Sequence, residues 1–452
     1  MTAHHDFETA ERIRLRKKVL WRISPFVGLM YLVNYLDRTN LSFAAPEGMK
    51  ADLGMTAAGF GLASGVFFLG YLLLEVPSNL ALHRFGARRW LARILVSWGV
   101  VASAMAFVPN APWLYALRLL LGMAEAGFVP GVLLYLTYWF PKKDRVRAMA
   151  LFLVAIPLTS VVGAPVASAL IQYGHDIVPG LSGWRFMILM TGVPAVVLGL
   201  VCWFCLTDKP ADAKWLTSHE KAMLTTELER EQASGERTHR VRDALLRPKV
   251  WLLGLVYFGV LYGMYSIGFF LPTIIADFRE QYGVRFSAMQ VGLLTMIPYA
   301  VAAAGMILWS RHSDAKDEVV RHVAIPAAIG GLGIAGAMYA GGPVLAMAGI
   351  TVGTTGILAS MPPFWGMPTR LLTGAAAAGG IALVNSLGNV SGFVGPYLTG
   401  WLSDLTGSQR GGLWIVLVFL FLSAIISILV FRNRFGGLPQ EQETPEEKEK
   451  VK

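Results

Sequence analysis

Apolar stretches separated by short polar turns recur along the whole chain. They fall at 22–45, 57–80, 91–109, 112–138, 148–173 and 183–206, and again at 250–272, 287–309, 323–341, 343–364, 374–402 and 411–431. Each is long enough to cross a hydrocarbon layer of roughly 30 Å as a helix, the form that satisfies its own backbone polar groups. The pattern predicts an all-α membrane protein with twelve transmembrane helices in two six-helix halves, 22–206 and 250–431. Between them, 207–249 is rich in Lys, Glu and Arg and reads as a cytoplasmic linker. Its stretch "LTSHEKAMLTTELEREQ" offers a cap at Thr217 or Ser218 with Glu220 following, then Leu224 and Leu228, which predicts a short amphipathic helix outside the core. Residues 1–21 form a polar N-terminal segment, and the charged, proline-bearing tail 432–452 is expected to be disordered. The loops "NLALHRFGARR" and "SRHSDAKDE" hold the same ordinal place in the two halves. Two such halves have a natural rocking motion about a central cavity, the motion that carrying a solute requires.

Composition strengthens this picture. Of 452 residues 55% are apolar and 15% charged, against roughly a quarter charged in soluble proteins, and the mean hydropathy is +0.53. The net charge of +10 is distributed by topology: "RIRLRKK", "HRFGARRW", "PKKDRVR", the linker and "RHSDAKDEVVRH" occupy alternate loops, whereas "VPNAP" and "YAGGP" carry no base. The positive-inside rule therefore places both termini in the cytoplasm of a protein of the cell's inner membrane. The loop "ADFREQYGVR" has both signs and weakens the rule locally. A nucleic-acid partner would need a basic face outside the membrane, which this pattern does not supply. The first twenty residues lack a secretory signal's apolar core and cleavage site, so the first helix is expected to be retained as an anchor. Cys202 and Cys205 lie within a span and read as packing residues. No metal-ligand spacing, cofactor motif or catalytic pairing stands out, and the expectation is a monomer in lipid, without cofactor, that is not an enzyme.

Ionisable groups inside spans are costly, by about 2.5 to more than 10 kcal/mol for a lone side chain, and so mark function or internal pairing. The first span ends in "VNYLDRTN". Tyr31, Asn34 and Arg38 share a face at spacings of three and four, with Asp37 about 100° away. Either these residues form the wet end of a helix, or they line a polar path. The fourth span carries Arg118 and Glu125, seven residues and thus two turns apart on one face, with Gly122 between them. They read as a polar seam or as a structural ion pair. Gly127 and Gly131 permit close helix approach, and Pro130 is a candidate bend. In the eleventh span Asn385 and Asn389 lie one turn apart, continued by Gly392 and Pro396, and serve either as helix glue or as solute contacts. The seventh span offers Tyr257, Tyr262, Tyr265 and Phe269 as ring surfaces. Glu75 and Arg370 sit near cytoplasmic helix ends and suggest gating.

Together "NYLDRTN", "GVFFLGYLLLEVPSNLALHRFGARRW", "LRLLLGMAEAGFVPG", "YWFPKKDRVRAMA", "FFLPTII" and "VNSLGNVSGFVGP" resemble the major facilitator superfamily. Within it they resemble the anion:cation symporters, which include bacterial tartrate, phthalate, hydroxyphenylacetate and sugar-acid permeases. The resemblance covers nearly the whole chain. It implies that Asp37, Arg38, Arg118 and Glu125 are the central charged residues and that Asn389, with Asn385, is the amide contact from the other half. The superfamily's loop motif is altered here: Asn79 and His83 replace its Gly and Asp, Arg84, Gly86, Arg88 and Arg89 keep the rest, and the second copy has Ser310 but retains Asp314. The expected function is proton-coupled uptake of a small organic carboxylate, with export or exchange as the alternative. Arg38, Arg118, Tyr31, Asn34, Tyr262, Asn385 and Asn389 would bind the anion, Glu125 and Asp37 would carry the proton, and Glu75, Arg84, Arg88, Asp314 and Arg370 would gate.

Overall fold

A computed structural model describes residues 2–141, 144, 145, 148, 149, 152, 155–233, 247–371 and 374–431. The expected disordered tail and the middle of the linker lie outside the described residues. The principal helices are α1 (Thr2–Ala44), α2 (Ala57–Phe85), α3 (Ala87–Ala104), α4 (Ala111–Glu125), α5 (Phe128–Trp139), α6 (Ala155–Ile177), α7 (Gly183–Cys205), α8 (Ser218–Ala233), α9 (Pro248–Ala276), α10 (Ala288–Lys316), α11 (Val320–Met338), α12 (Pro343–Leu371), α13 (Gly374–Thr406) and α14 (Gln409–Ile426). Ten helical stretches among the described residues are long and apolar enough to cross a membrane, with α4 and α5 counting as one of them. Helices α6 and α13 stand where the sequence places its fifth and eleventh spans. Large apolar side chains such as Trp21, Leu73, Val76, Phe204, Val344 and Leu429 are exposed, as a lipid-facing surface requires.

Polar residues define the helix starts. The Thr56 side chain accepts from the backbone N–H of Gly59, Asn110 accepts from Trp113, and Ser287 forms a reciprocal capping box with Gln290. Two sequence expectations change. The polar segment 1–21 is not a separate unit, because α1 continues through it as one helix. The predicted span 112–138 is broken: Gly127, at φ +83°, adopts a left-handed conformation open to glycine. Pro130 has no N–H to give the carbonyl of Ala126, which deepens the break.

The linker helix α8 begins with the expected cap. Thr217 Oγ1 accepts from the N–H of Glu220, and a Glu220 carboxylate oxygen accepts from the N–H of Thr217. Leu224 and Leu228 are buried, while Lys18 donates to Glu220 at 2.8 Å and Arg16 bridges Glu227 and Asp144. The rise that slight burial would cause in the Glu220 carboxyl is outweighed by Lys18 and Thr217, which hold it below the usual carboxylate range.

Helices α1–α7 pack largely on one another, as do α9–α14, and the two sets meet along α2 with α13, α6 with α10, and α1 with α9. At the end where α2 starts, both oxygens of Asp404 on α13 accept from the free N–H groups of Ala57 and Ala58, at 3.0 and 2.7 Å. A matching bond joins the other seam, where Gln172 on α6 accepts from the N–H of Met289 at 3.1 Å. Each set thus caps a helix of the other at the end expected to face outside. An N-terminal cap contributes about 1 kcal/mol, so Asp404→Ala is expected to raise the population opened at this end about fivefold. Electron-resonance distances between labels at the adjoining ends of α2 and α13 measure it; identical distributions in variant and parent would refute the latch.

Candidate substrate site

The centre of the site is an ion pair between Arg38 of α1 and Glu125, the last residue of α4. Two features of the sequence create it. Gly122 lets α4 cross α2 so closely that an added Cβ would stand 1.9 Å from the carbonyl oxygen of Phe67. The break at Gly127 then leaves Glu125 at a helix C-terminus, where a cation is favoured by the unpaired carbonyls. The Arg38 guanidinium lies 5.0 Å from the ring centre of Phe67, 5.4 Å from Tyr71 and 5.9 Å from Phe68. Rings at these distances attract a cation through their quadrupoles. Glu125 is fully buried, whereas the Arg38 side chain keeps 11% of its surface exposed.

The polar seam expected between Arg118 and Glu125 is not an ion pair. Arg118 is buried and donates from Nε to the carbonyl of Ala63 at 2.9 Å and from Nη2 to that of Ser64 at 3.3 Å. The Phe67 ring centre is 5.0 Å from the guanidinium of Arg118 and 5.0 Å from that of Arg38. Glu125 turns instead to Arg38, across the helix pair rather than along α4. Asp37, the neighbour of Arg38 in the chain, accepts instead from the indole of Trp98 on α3 at 2.7 Å. Its face of α1 is turned inward, where Asn40 donates to Thr191 of α7. Asn34 is buried with neither amide atom paired, and Asp37 Oδ1, Glu125 Oε2 and Arg118 Nη1 are likewise without partners. The polar residues at the end of α1 therefore form a buried network and not merely a wet helix end. Tyr31 is stacked on Phe152 at 4.3 Å and packs beside Phe128, so its ring serves helix packing.

From the second set, Tyr265 on α9 approaches edge-on, at 4.6 Å, to Phe68, one of the rings around Arg38. Tyr262 is not brought to the site. Its hydroxyl is bonded to Thr399 on α13 at 3.1 Å and its ring lies on Phe419 at 4.6 Å, because it occupies the face of α9 that packs within its own set. Asn385 and Asn389 are half-buried on α13. They alternate with Gly388 and Gly392, whose backbones lie against Tyr257 and Phe68. Tyr257 is itself stacked on Phe364 at 4.7 Å.

The gating residues are mostly apart. Arg370 pairs with Asp317 in its own set, and Glu75 is half-buried one turn beyond Tyr71. Arg84 lies over Phe85. The Arg88 backbone N–H donates to Asp208 at 2.7 Å, and Asp314 is exposed. The structure does not bring Arg84 or Arg88 together with Asp314. Asp208, Trp98, Phe67 and the Asp404 cap carried no local sequence signal, since each acts on a residue far away in the chain.

A bundle of long apolar helices in two packed sets, with a charged and ring-walled centre, defines a multi-pass α-helical membrane protein of the solute-carrier type. The family model of the Major Facilitator Superfamily matches residues 27–395, and the chain belongs to that superfamily, whose members include MFS-type secondary transporters of small solutes. It is 44% identical to a putative tartrate transporter of Agrobacterium vitis over 93% of this chain and 92% of that one. It is 39% identical to the putative metabolite transport protein NicT of Pseudomonas putida over 94% and 96%. Among solved structures it is similar, with a TM-score of 0.74 and 18% identity over 92% of this chain and 96% of the other, to a bacterial homolog of the human lysosomal transporter Spinster. That likeness concerns the fold.

Proposed function

We propose that the protein imports a small organic carboxylate together with protons by alternating access. The carrying observation is the Arg38–Glu125 ion pair, which stands at the meeting of the two helix sets with Tyr265 of the second packed on Phe68 beside it. An incoming carboxylate competes with Glu125 for Arg38. Once displaced, a buried carboxylate without its counterion is stabilised by taking a proton, so anion and proton favour each other's binding. The similarity to a putative tartrate transporter supports an anionic cargo. In this reading the chain has twelve spans in two six-helix halves, 22–206 and 250–431, joined by the linker 207–249. It sits as a monomer in the inner membrane with both termini in the cytoplasm, and acts without cofactor or chemical conversion. Rocking of the halves opens the chamber to either side in turn.

The test is flux in proteoliposomes at an imposed inward proton gradient. Accumulation of carboxylate above the outside concentration, abolished by a protonophore, is the expected result. Outward movement driven by the same gradient would assign export or exchange instead, and gradient-independent equilibration would remove the proton from the mechanism.

A further inference from the structure

The chamber offers a solute one positive charge. Arg38 keeps some surface exposed, but Arg118 is fully buried with two of its nitrogens given to backbone carbonyls. The facing wall carries none. No Lys, Arg or His occurs from Val250 to Ala276, from Ala288 to Ser310, from Pro343 to Thr369, or anywhere in α13. The next cation on that side, Arg370, is engaged by Asp317. The polar and aromatic residues of α9 and α13 on that side are neutral, among them the half-buried Asn385 and Asn389 and Tyr265, whose ring lies edge-on to Phe68 at 4.6 Å.

We infer that the carried anion is a monocarboxylate whose remaining body is uncharged and flat, and that dicarboxylates are disfavoured. This rests on the reading of the chamber as the substrate site. One carboxylate takes the place of Glu125 on Arg38. A second would leave water with no cation to meet it, a loss that hydrogen bonds from neutral amides do not restore. A planar neutral body beside Arg38 meets the rings that surround it, Phe67, Phe68 and Tyr71 of α2 with Tyr265 of α9 against Phe68, and edge or offset contacts with rings add to simple burial. A hydroxyl, amide or ring nitrogen at the far end has Asn385 and Asn389 to bond. Tartrate, the cargo in the name of a 44% identical relative called a putative tartrate transporter, carries two charges and is disfavoured here.

Thermal-shift titration of the purified full-length protein at pH 7 with matched pairs tests it. Threonate and tartrate share a four-carbon frame and differ by one charge, as do benzoate and terephthalate. The monocarboxylate is expected to half-saturate at about tenfold lower concentration in each pair, with benzoate ahead of threonate. Asn389→Lys, which supplies the facing wall with a cation, is expected to narrow or reverse the gap. Equal or stronger stabilisation by tartrate and terephthalate, lost in Arg38→Ala, would overturn this inference and leave the proposed transport intact. Threonate ahead of benzoate would overturn the flat body. Absence of any shift with all four, or shifts that persist in Arg38→Ala, would overturn both the inference and the assignment of the chamber as a substrate site.

Discussion

Replacing Arg38 by alanine is expected to weaken carboxylate binding by about a hundredfold or more and to end the proposed uptake. Arg38 is the partly exposed cation of the chamber, held by three rings and by Glu125, and a charge-assisted bond in a dry site has no substitute from neutral neighbours. The substitution also strands Glu125, and breaking a buried pair from one side destabilises by about 3–5 kcal/mol. Binding must therefore be measured on protein that still elutes as a single species. The double variant Arg38→Ala with Glu125→Gln removes the stranded charge and is expected to recover melting temperature without recovering binding. Unchanged affinity in either variant would take Arg38 out of the site. Arg118→Ala should behave differently. Its guanidinium ties α4 to the carbonyls of Ala63 and Ser64 on α2, so the melting temperature falls while the affinity of the folded fraction changes little.

The Glu125→Gln variant is expected to exchange solute between equal pools but fail to concentrate it. Glutamine keeps the shape and can still hydrogen-bond, but it neither competes as a charge for Arg38 nor takes a proton. Anion binding then no longer carries proton binding with it, and the linkage that couples a proton gradient to solute accumulation is gone. Counterflow and gradient-driven uptake, measured on the same proteoliposomes, separate the two activities. Persistent proton-driven accumulation would pass the coupling role to Asp37, whose carboxylate is buried against Trp98 with one oxygen unpaired. Loss of folded protein would instead favour a purely structural pair.

Much of the frame was legible in the chain because a membrane span is a local property. Twenty apolar residues need no partner to declare a helix, and the observed α7, Gly183–Cys205, departs from the predicted 183–206 by one residue. The cap at Thr217 with Glu220 was equally local, four consecutive residues closing on themselves. The break in the fourth span was less so: Gly127 and Pro130 were both visible, but a glycine in an apolar helix signals close packing as readily as a left-handed turn. Candidate charges were also legible, since Asp37, Arg38, Arg118 and Glu125 stand out where hydrocarbon makes ions expensive.

Their pairing was not. Helical spacing set Arg118 and Glu125 on one stripe, yet the crossing of α2 over Gly122 inserted Phe67 beside Arg118 and let Glu125 meet Arg38, 87 positions away in the chain. The same holds for the tyrosines of α9, all visible as ring surfaces. Packing against Thr399 and Phe419 claimed Tyr262, and left Tyr265 to meet Phe68 beside Arg38. By itself the sequence determined a polytopic helical membrane protein with charges buried along it, because hydrophobic length and the cost of a buried ion are properties of a single segment. Which charge neutralises which, and which ring meets the chamber, only the tertiary structure decided, because those depend on the rotation of each helix about its axis and on contacts between segments far apart in the chain.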